Sequence, residues 1–274
     1  ISFVSNLAIL FLFKYFDFAL ENINRVLSLI GIQLIQPSFS LLLPVGISFY
    51  TFQALSYVID VYRNDASVQK NIASFGAYVT LFPQLIAGPI VRYKDVDDQL
   101  NERTESVELF ASGVRTFIAG FGKKIIFANA IGEVWTYFRD IPADERSVLA
   151  AWFGIICYSF QLYFDFSAYS DMAIGLGKML GFRFLENFNY PYISTSITDF
   201  WRRWHITLSS FFREYVYISI GGNRRGKLIT YRNLLITWAL TGLWHGFSLN
   251  FLLWGLYFAL ILIIEKAFLG KLIA

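Results

Sequence analysis

The chain has 274 residues, of which 56% are hydrophobic and 16% are charged. A soluble domain carries about 25% charged residues, so this composition excludes an ordinary soluble protein and indicates that lipid is the solvent. The net charge of +3 is small, and because the sequence contains no long basic run we expect no nucleic-acid partner. Cys157 is the single cysteine, which excludes an internal disulfide, and we interpret it as a small core residue.

The N-terminal region contains two apolar runs. Residues 1–13 are apolar and are interpreted as the end of a membrane crossing, in a chain that we expect to be truncated at both ends. The charges that follow are Lys14, Asp17, Glu21 and Arg25. Their spacing predicts an interfacial helix. Pro37 and Pro44 then predict a short segment, a turn and a crossing over residues 42–59.

The middle of the chain contains a broken segment and a clear crossing. Residues 71–91 lack charge but contain Pro83 and Pro89, which predict a broken or re-entrant segment packed inside protein. Residues 93–108 are polar and predict a loop or a surface helix. Residues 147–164 are uncharged and long enough to predict a crossing.

Two carboxylates, Asp165 and Asp171, follow this crossing directly. In one interpretation both are hydrogen-bonded at a helix break beside Gly175, and in the other they line a reaction chamber. Six positions on a continuous helix correspond to about 600°, so the two side chains would face different ways. This geometry disfavours a paired-carboxylate site.

A region of mixed aromatic and charged residues precedes the last crossings. Residues 199–217 predict one helix half in the interface, capped by Ser196 or Thr198. Residues 221–227 form a glycine-rich turn with three cations and match the spacing of a phosphate-binding P-loop. Position 228 is leucine, so the hydroxyl that would hold Mg²⁺ is absent. The cations fit either a positive-inside signal or attraction of donor phosphates.

Residues 233–264 contain no Asp, Glu, Lys or Arg and predict the last pair of crossings. His245 lies within this run, and an ionisable group at membrane depth indicates function. Gly242 and Gly246 flank it with the G-x-x-x-G spacing that allows close helix packing.

His205 is the other histidine and lies beside two arginines, which would lower its pKa and favour the neutral form. It is interpreted either as functional or as a hydrated interfacial residue. Two histidines so far apart, with no cysteine cluster, are a weak metal signal, so we expect no metal and no bound cofactor.

Seven sequence phrases together resemble the membrane-bound O-acyltransferase family, and most closely its bacterial polysaccharide acetyltransferase branch. They occur in the family order within residues 41–266. The phrases are PVGISFYTFQ (44–53), FPQLIAGP (82–89), YFDFSAYSDM (163–172), ENFNYP (186–191), FWRRWH (200–205), GGNR (221–224) and GLWHG (242–246).

The resemblance implies an all-α, polytopic integral membrane protein whose spanning, re-entrant and interfacial helices surround a central tunnel, in a single domain over residues 1–274. It implies an O-acetyltransferase in the bacterial inner (cytoplasmic) membrane. The enzyme would move an acetyl group from a cytosolic donor, acetyl-CoA or another acyl thioester, toward hydroxyls of an exported polysaccharide such as alginate. Its partners would be the lipid bilayer, the acyl donor, and periplasmic or extracellular acetyl-transfer proteins.

The resemblance assigns His245 as the catalytic base and His205 to orientation or proton relay. A neutral imidazole, with an ordinary pKa of about 6.5, can accept the proton of a hydroxyl at cellular pH. We also assign substrate binding to residues of the same phrases: Trp204, Arg202, Arg203, Asn223, Arg224, Asp165, Asp171 and Trp244.

Three alternative functions remain open at this point. The first is transfer of D-alanyl from a carrier protein, and the second is lipid or protein acylation within the same family. The third is a proton-coupled transporter that uses Asp165, Asp171 and the histidines. The sequence departs from the family pattern at Ala168, Glu214 and Ser219, where Gly, Asp and Pro are usual, and none of these is a histidine.

Overall fold

The computed structural model describes residues 1–32, 35, 41–85, 88–246 and 248–269. These ranges contain helices and connecting turns but no strand, so the predicted all-α class is confirmed. The chain divides into two compact units. The first comprises Ile1–Val68, Arg92–Lys94 and Tyr190–Ala274, and the second comprises Gln69–Val91 and Asp95–Asn189. The single domain and the central tunnel stay predictions.

Three helical stretches in the described ranges are long and apolar enough to cross a membrane. They are Ser2–Leu29, Val148–Met179 and Leu249–Phe268. Large apolar side chains on them are exposed, for example Phe3 and Trp152. Exposed apolar area on this scale marks contact with lipid or protein rather than water, which supports a multi-pass membrane protein.

The first unit begins with one long helix. α1 (Ser2–Leu10) passes through a π-helical turn (Phe11–Tyr15) into α2 (Phe16–Leu29). The predicted helix that carries Asp17, Glu21 and Arg25 is therefore present as a continuation of the apolar helix, and its position in the interface stays a prediction. No proline or glycine occurs between residues 2 and 29, so nothing in the backbone interrupts the helix.

The next helix of the first unit is α3 (Ile47–Arg63). It begins after Gly46, whose φ of +79° is a left-handed conformation that glycine adopts without strain. The crossing predicted over residues 42–59 is thus a helix displaced toward the C terminus. The turn predicted around Pro37 lies outside the described residues.

The histidine at position 205 divides what the sequence predicts as one helix. α10 (Ile197–Arg203) and α11 (Ile206–Phe211) lie on either side of it, and Phe212–Tyr217 continues as a π-helix. The φ of His205 is +45°, which is uncommon for a residue with a β-carbon and redirects the chain. The pattern of apolar residues carries no signal of this break.

The last two helices of the first unit are α12 (Lys227–His245) and α13 (Leu249–Ile264). A β-carbon at Gly242 would collide with the backbone carbonyl of Phe251, and one at Gly255 would collide with that of Trp238. The absence of a side chain therefore lets the two backbones approach closely, as the G-x-x-x-G spacing predicts for Gly242.

The second unit contains the predicted broken segment. α4 (Ile72–Thr80) and α5 (Phe82–Leu85) are separated by Leu81, which is extended. The segment FPQLIAGP lies partly outside the described residues. The polar stretch that follows forms α6 (Tyr93–Asn101), which begins in the first unit, and its Val96 is buried.

Three further helices complete the second unit. α7 (Val107–Gly122) continues through π-helical Lys123–Asn129 into α8 (Ala130–Asp140), and α9 follows over Val148–Met179. Cys157 on α9 is buried, as expected for a small core residue.

The helix α9 runs unbroken through Asp165 and Asp171, so the helix break expected near them is absent. Close packing between α7 and α9 explains the glycines of these helices instead. A β-carbon at Gly175 would collide with the backbone of Phe117 on α7, and one at Gly120 would collide with the backbone of Ala168. Gly120 and Gly175 therefore serve close packing between α7 and α9 rather than a helix break.

Candidate functional site

The position of His205 is fixed by caps at the start of α10. The hydroxyl of Ser196 accepts the N–H of Asp199 at 3.0 Å, which confirms one of the two predicted caps. The carboxylate of Glu265, beyond the end of α13, accepts the N–H groups of Ile197 at 2.8 Å and Thr198 at 3.2 Å. A carboxylate also suits the positive end of a helix dipole. Glu265 thereby anchors the short helix that leads into His205.

Trp244 brings the two histidines into one aromatic cluster. Its ring centroid lies 6.2 Å from that of His205 and 4.7 Å from that of His245. The ring of His245 also lies 5.0 Å from Trp254, and Trp244 stacks on Phe52 at 5.9 Å. Two imidazoles that are distant in sequence therefore lie beside the same indole.

The two histidines differ in exposure. His205 is 2% exposed, so its interpretation as a hydrated interfacial residue is wrong. His245, which the sequence places at membrane depth, is exposed at the end of α12, where Gly246 continues in an extended conformation. Of the two imidazoles, that of His245 is therefore the more accessible.

Burial keeps His205 in its neutral form. Burial, and next the nearby His245, lower the pKa of His205 to about 3. The neutral form expected from the sequence is therefore favoured, but burial rather than the neighbouring arginines is the main cause. A neutral imidazole can donate with one ring nitrogen and accept with the other.

The residues predicted to bind substrate have different surroundings. Arg203 is paired with Asp199, Nε to Oδ2 at 2.9 Å, and Arg202 is exposed. Asn223 and Arg224 are exposed in the turn before α12. Trp204 stacks on Phe200 with 5.8 Å between ring centroids. The substrate-binding roles of these residues stay predictions.

A cavity of about 240 Å³ opens in the first unit beside α10 and α12. Its wall is largely apolar, and it includes residues from the segments that carry both histidines, such as Trp201 and Thr241. Three cations also line it: Arg202, Arg213 and Lys266. The buried Nε1 of Trp201 and the hydroxyl of Tyr217, which also line it, have no hydrogen-bond partner in the described part of the chain. Buried polar groups normally have partners, so this cavity is suited to a ligand that combines apolar and polar groups.

Asp165 and Asp171 belong to the second unit, where each pairs with a lysine. Asp171 Oδ2 lies 2.5 Å from Lys123 Nζ, and Asp165 pairs with Lys124. Two adjacent lysines thus hold two carboxylates six residues apart on α9. These ion pairs account for the carboxylates locally, and their assignment to substrate binding stays a prediction.

Lys14 is a residue of this region that the sequence interpretation missed. Its Nζ donates to the carbonyl of Trp244 at 2.6 Å and to the hydroxyl of Ser48 at 3.0 Å. The available signal was a lone cation inside an apolar helix, which at membrane depth indicates function. Because the sequence predicts an interfacial helix for Lys14, where a cation is ordinary, this signal was not used.

The helices define a multi-pass membrane protein, and the aromatic cluster places two imidazoles beside one indole. The chain belongs to the membrane-bound O-acyltransferase family, whose profile matches residues 63–271. The family resemblance seen in the sequence phrases is therefore confirmed.

The relatives that the chain resembles include three kinds of bacterial protein. The chain is 49% identical over 264 residues to the probable alginate O-acetylase of Pseudomonas aeruginosa, covering 96% of the chain and 50% of the relative. It is 36% identical to the peptidoglycan O-acetyltransferase of Helicobacter pylori over an alignment of 295 positions, which covers 97% of the chain and 54% of the relative. It is 32% identical over 238 residues to the teichoic acid D-alanyltransferase of Bacillus subtilis, covering 82% and 60%. The chain thus spans about half the length of the alginate O-acetylases that it matches.

Proposed function

We propose that this protein is a membrane O-acetyltransferase in which His245 is the general base. The observation that carries the proposal is the convergence of His245 and His205 on Trp244, in a chain that belongs to an O-acyltransferase family. The exposure of His245 supports its role, because a general base must come within hydrogen-bond reach of the hydroxyl that it deprotonates.

In the proposed reaction the acceptor hydroxyl attacks the carbonyl carbon of the thioester while the His245 imidazole takes the hydroxyl proton. The new C–O bond forms, the C–S bond breaks, and the leaving thiolate receives the proton from the imidazolium. General-base assistance of this kind contributes roughly 10²–10⁴-fold to the rate. His205, neutral and buried in the same cluster, is assigned to orientation or proton relay.

Trp244 supplies a hydrogen-bond donor for this reaction. Its Nε1 is buried and has no partner among the described residues. We assign that N–H to a substrate oxygen, where it stabilises the negative charge that develops on the thioester carbonyl during attack. A preorganised donor at such an oxygen is worth about 10²–10³-fold.

The cavity beside α10 and α12 is the proposed donor site. Its apolar wall suits the arm of an acyl thioester, and Arg202, Arg213 and Lys266 suit the phosphates of acetyl-CoA. Thr241, which lines the cavity, is one helical turn before His245. This sequence relation supports delivery of the acyl group toward the imidazole.

The proposed acceptor is a hydroxyl of an exported polysaccharide such as alginate. This assignment is supported by the likeness to the alginate O-acetylase of Pseudomonas aeruginosa, whose name states that acceptor. The corresponding location is the bacterial inner membrane, with acetyl-transfer partner proteins on its outer side. The pairing of Asp165 and Asp171 with lysines gives the alternative proton-coupled transporter less support.

The test is transfer of radiolabelled acetyl from acetyl-CoA in membranes that contain the full-length protein. We expect the His245→Ala variant to lose transfer by at least about 10²-fold, as removal of a general base does, while its abundance in the membrane is unchanged. Arg146→Ala, an exposed change in the loop before α9, is the control and should transfer normally. Retained transfer in His245→Ala would remove the assignment.

D-alanyl transfer is the second candidate, because the Bacillus subtilis relative is named for that reaction. The same residues would serve, since D-alanyl also arrives as an acyl group on a thioester. Mass analysis of the modified acceptor separates the two: acetylation adds an acetyl group, and D-alanylation adds an alanyl group with a free amine.

A further inference from the structure

The carboxyl end of α12, which carries His245, is held by two side chains from the first helix of the chain. The ammonium of Lys14 donates to the carbonyl of Trp244 at 2.6 Å, and the hydroxyl of Tyr15 donates to the carbonyl of Leu243 at 3.4 Å. The last carbonyls of a helix have no partner within the helix. These two donors therefore act as a cap supplied from a segment more than 200 positions away in the sequence.

The charge of Lys14 matches the end of the helix that it contacts. A helix dipole places partial negative charge at its carboxyl end, where a cation is stabilising. Lys14 Nζ also lies 5.5 Å from the centroid of the Trp244 ring, a position that favours a cation–π interaction. Backbone and ring of Trp244 are thus both held by one ammonium.

A third helix completes the arrangement. The second donor bond of Lys14 runs to the hydroxyl of Ser48, 3.0 Å away in the first turn of α3. No carboxylate in the described ranges forms an ion pair with Lys14. A cation on a membrane helix with no counter-ion is costly. Its presence therefore needs a reason other than simple packing.

We propose that Lys14 is a positioning residue for acyl transfer, which holds Trp244 and His245 in register with the substrate and places one fixed positive charge beside them. The inference rests on the proposed role of His245. Without the ammonium, the end of α12 loses its strongest tether, and the imidazole and indole N–H are no longer aligned with the reacting carbonyl. Misplacement of reacting groups by about 1 Å can cost about 10²-fold in rate.

The test compares Lys14→Met and Lys14→Arg in the full-length protein, in membrane vesicles supplied with radiolabelled acetyl-CoA and alginate oligosaccharide. Methionine keeps much of the side-chain volume and removes the charge and the donors, whereas arginine keeps both. We expect Lys14→Met to lower kcat by about 10²-fold with the KM for acetyl-CoA within about twofold, since the lost contact aligns the reacting groups rather than binding the donor. Lys14→Arg should recover at least about tenfold over Lys14→Met, as a retained charge and donor set predicts.

The matched control is Arg25→Met, which removes a cation from the same helix at an exposed position paired with Glu21. It should leave kcat and KM unchanged. Wild-type kcat in Lys14→Met would overturn the inference. So would a loss confined to the amount or melting temperature of the protein, or an arginine variant no more active than the methionine variant. His245→Ala is measured in parallel: if that variant is active the proposed function fails, and if only Lys14→Met is active this inference alone fails.

Discussion

Glu214 is held by two cations within the first unit. Its Oε1 lies 2.5 Å from Arg92 Nη1, and its Oε2 lies 2.7 Å from Lys94 Nζ. Burial alone would raise the pKa of this carboxyl, but the hydrogen bond from Lys94 and the charge of Arg92 outweigh burial and hold the pKa below its ordinary value of 4.5. The half-buried carboxylate therefore ties the segment 92–94 to the π-helix after α11.

We predict that Glu214→Gln destabilises the protein by roughly 1–2 kcal/mol at pH 7, between the values for exposed and buried ion pairs. Because the folded-state pKa is lowered, the stabilisation is complete above the unfolded pKa and is lost as pH falls through the folded pKa. Thermal unfolding in detergent between pH 7 and pH 3 should therefore show a smaller acid-dependent loss in the variant than in the wild type.

The control for this prediction is Glu105→Gln, whose carboxylate pairs with Arg103 at an exposed site. Exposed pairs contribute about 0–1 kcal/mol, so this variant should melt close to the wild type at every pH. Equal melting temperatures for Glu214→Gln and wild type at pH 7 would show that the two cations do not stabilise the fold.

At the scale of helices, α12 and α13 depend on glycines at their contact. A β-carbon at Gly242 would meet the backbone of Phe251, which cannot move without shifting a helix. We predict that Gly242→Ala destabilises the protein by roughly 1–3 kcal/mol, the usual cost of overpacking, and lowers acetyl transfer because α12 carries His245.

Gly122→Ala is the control, because an added β-carbon there meets no atom within 4 Å. It should be neutral or stabilising by up to about 1 kcal/mol. Melting temperatures in detergent distinguish the two, and equal values would argue against close packing at Gly242.

The helices also show what a sequence can and cannot predict about this protein. The broken segment containing Pro83 and the close packing at Gly242 were predictable, because proline and glycine act through local backbone geometry. The division of one helix at His205 was not predictable, because its positive φ is imposed by surrounding contacts on a residue that does not favour it. The contact between Lys14 and Trp244 joins positions far apart in sequence, and no local pattern predicts such a pair.

The sequence predicted which residues form the candidate site better than it predicted how they are arranged. The phrases that resemble the family pointed to both histidines and to Trp244, which the structure places together. Their exposure was not predictable, because burial depends on where α12 ends and how α10 meets α11, which are tertiary features. The two carboxylates of α9 were assigned to the site by the same phrases, and each is engaged by a lysine of the second unit.

At the scale of the whole molecule, the orientation in the membrane follows from loop charge. The turn before α12 is exposed and contains Arg224, Arg225 and Lys227. Because cytoplasmic loops carry an excess of Lys and Arg, we predict that this turn faces the cytoplasm. In a protein whose cysteines, Cys157 included, are all replaced by serine, Asn223→Cys should react with a membrane-impermeant maleimide in inverted vesicles and not in intact cells. The same cysteine-free protein without Asn223→Cys should remain unlabelled in both. Labelling of Asn223→Cys from the outside of intact cells would reverse the assigned orientation.

The hydrogen bonds from the start of α10 to Glu265 limit which segments of this protein can be exchanged with those of a homologue. The carboxylate of Glu265, just after α13, joins that end of the chain to the start of α10, although Glu265 lies 68 positions after Ile197. A chimera that exchanges α13 together with Glu265 for the corresponding segment of a homologue must therefore also supply an acceptor for the Ile197 and Thr198 amides. The two stretches therefore form one unit for recombination. A crossover point between them would separate Glu265 from the amides that it binds.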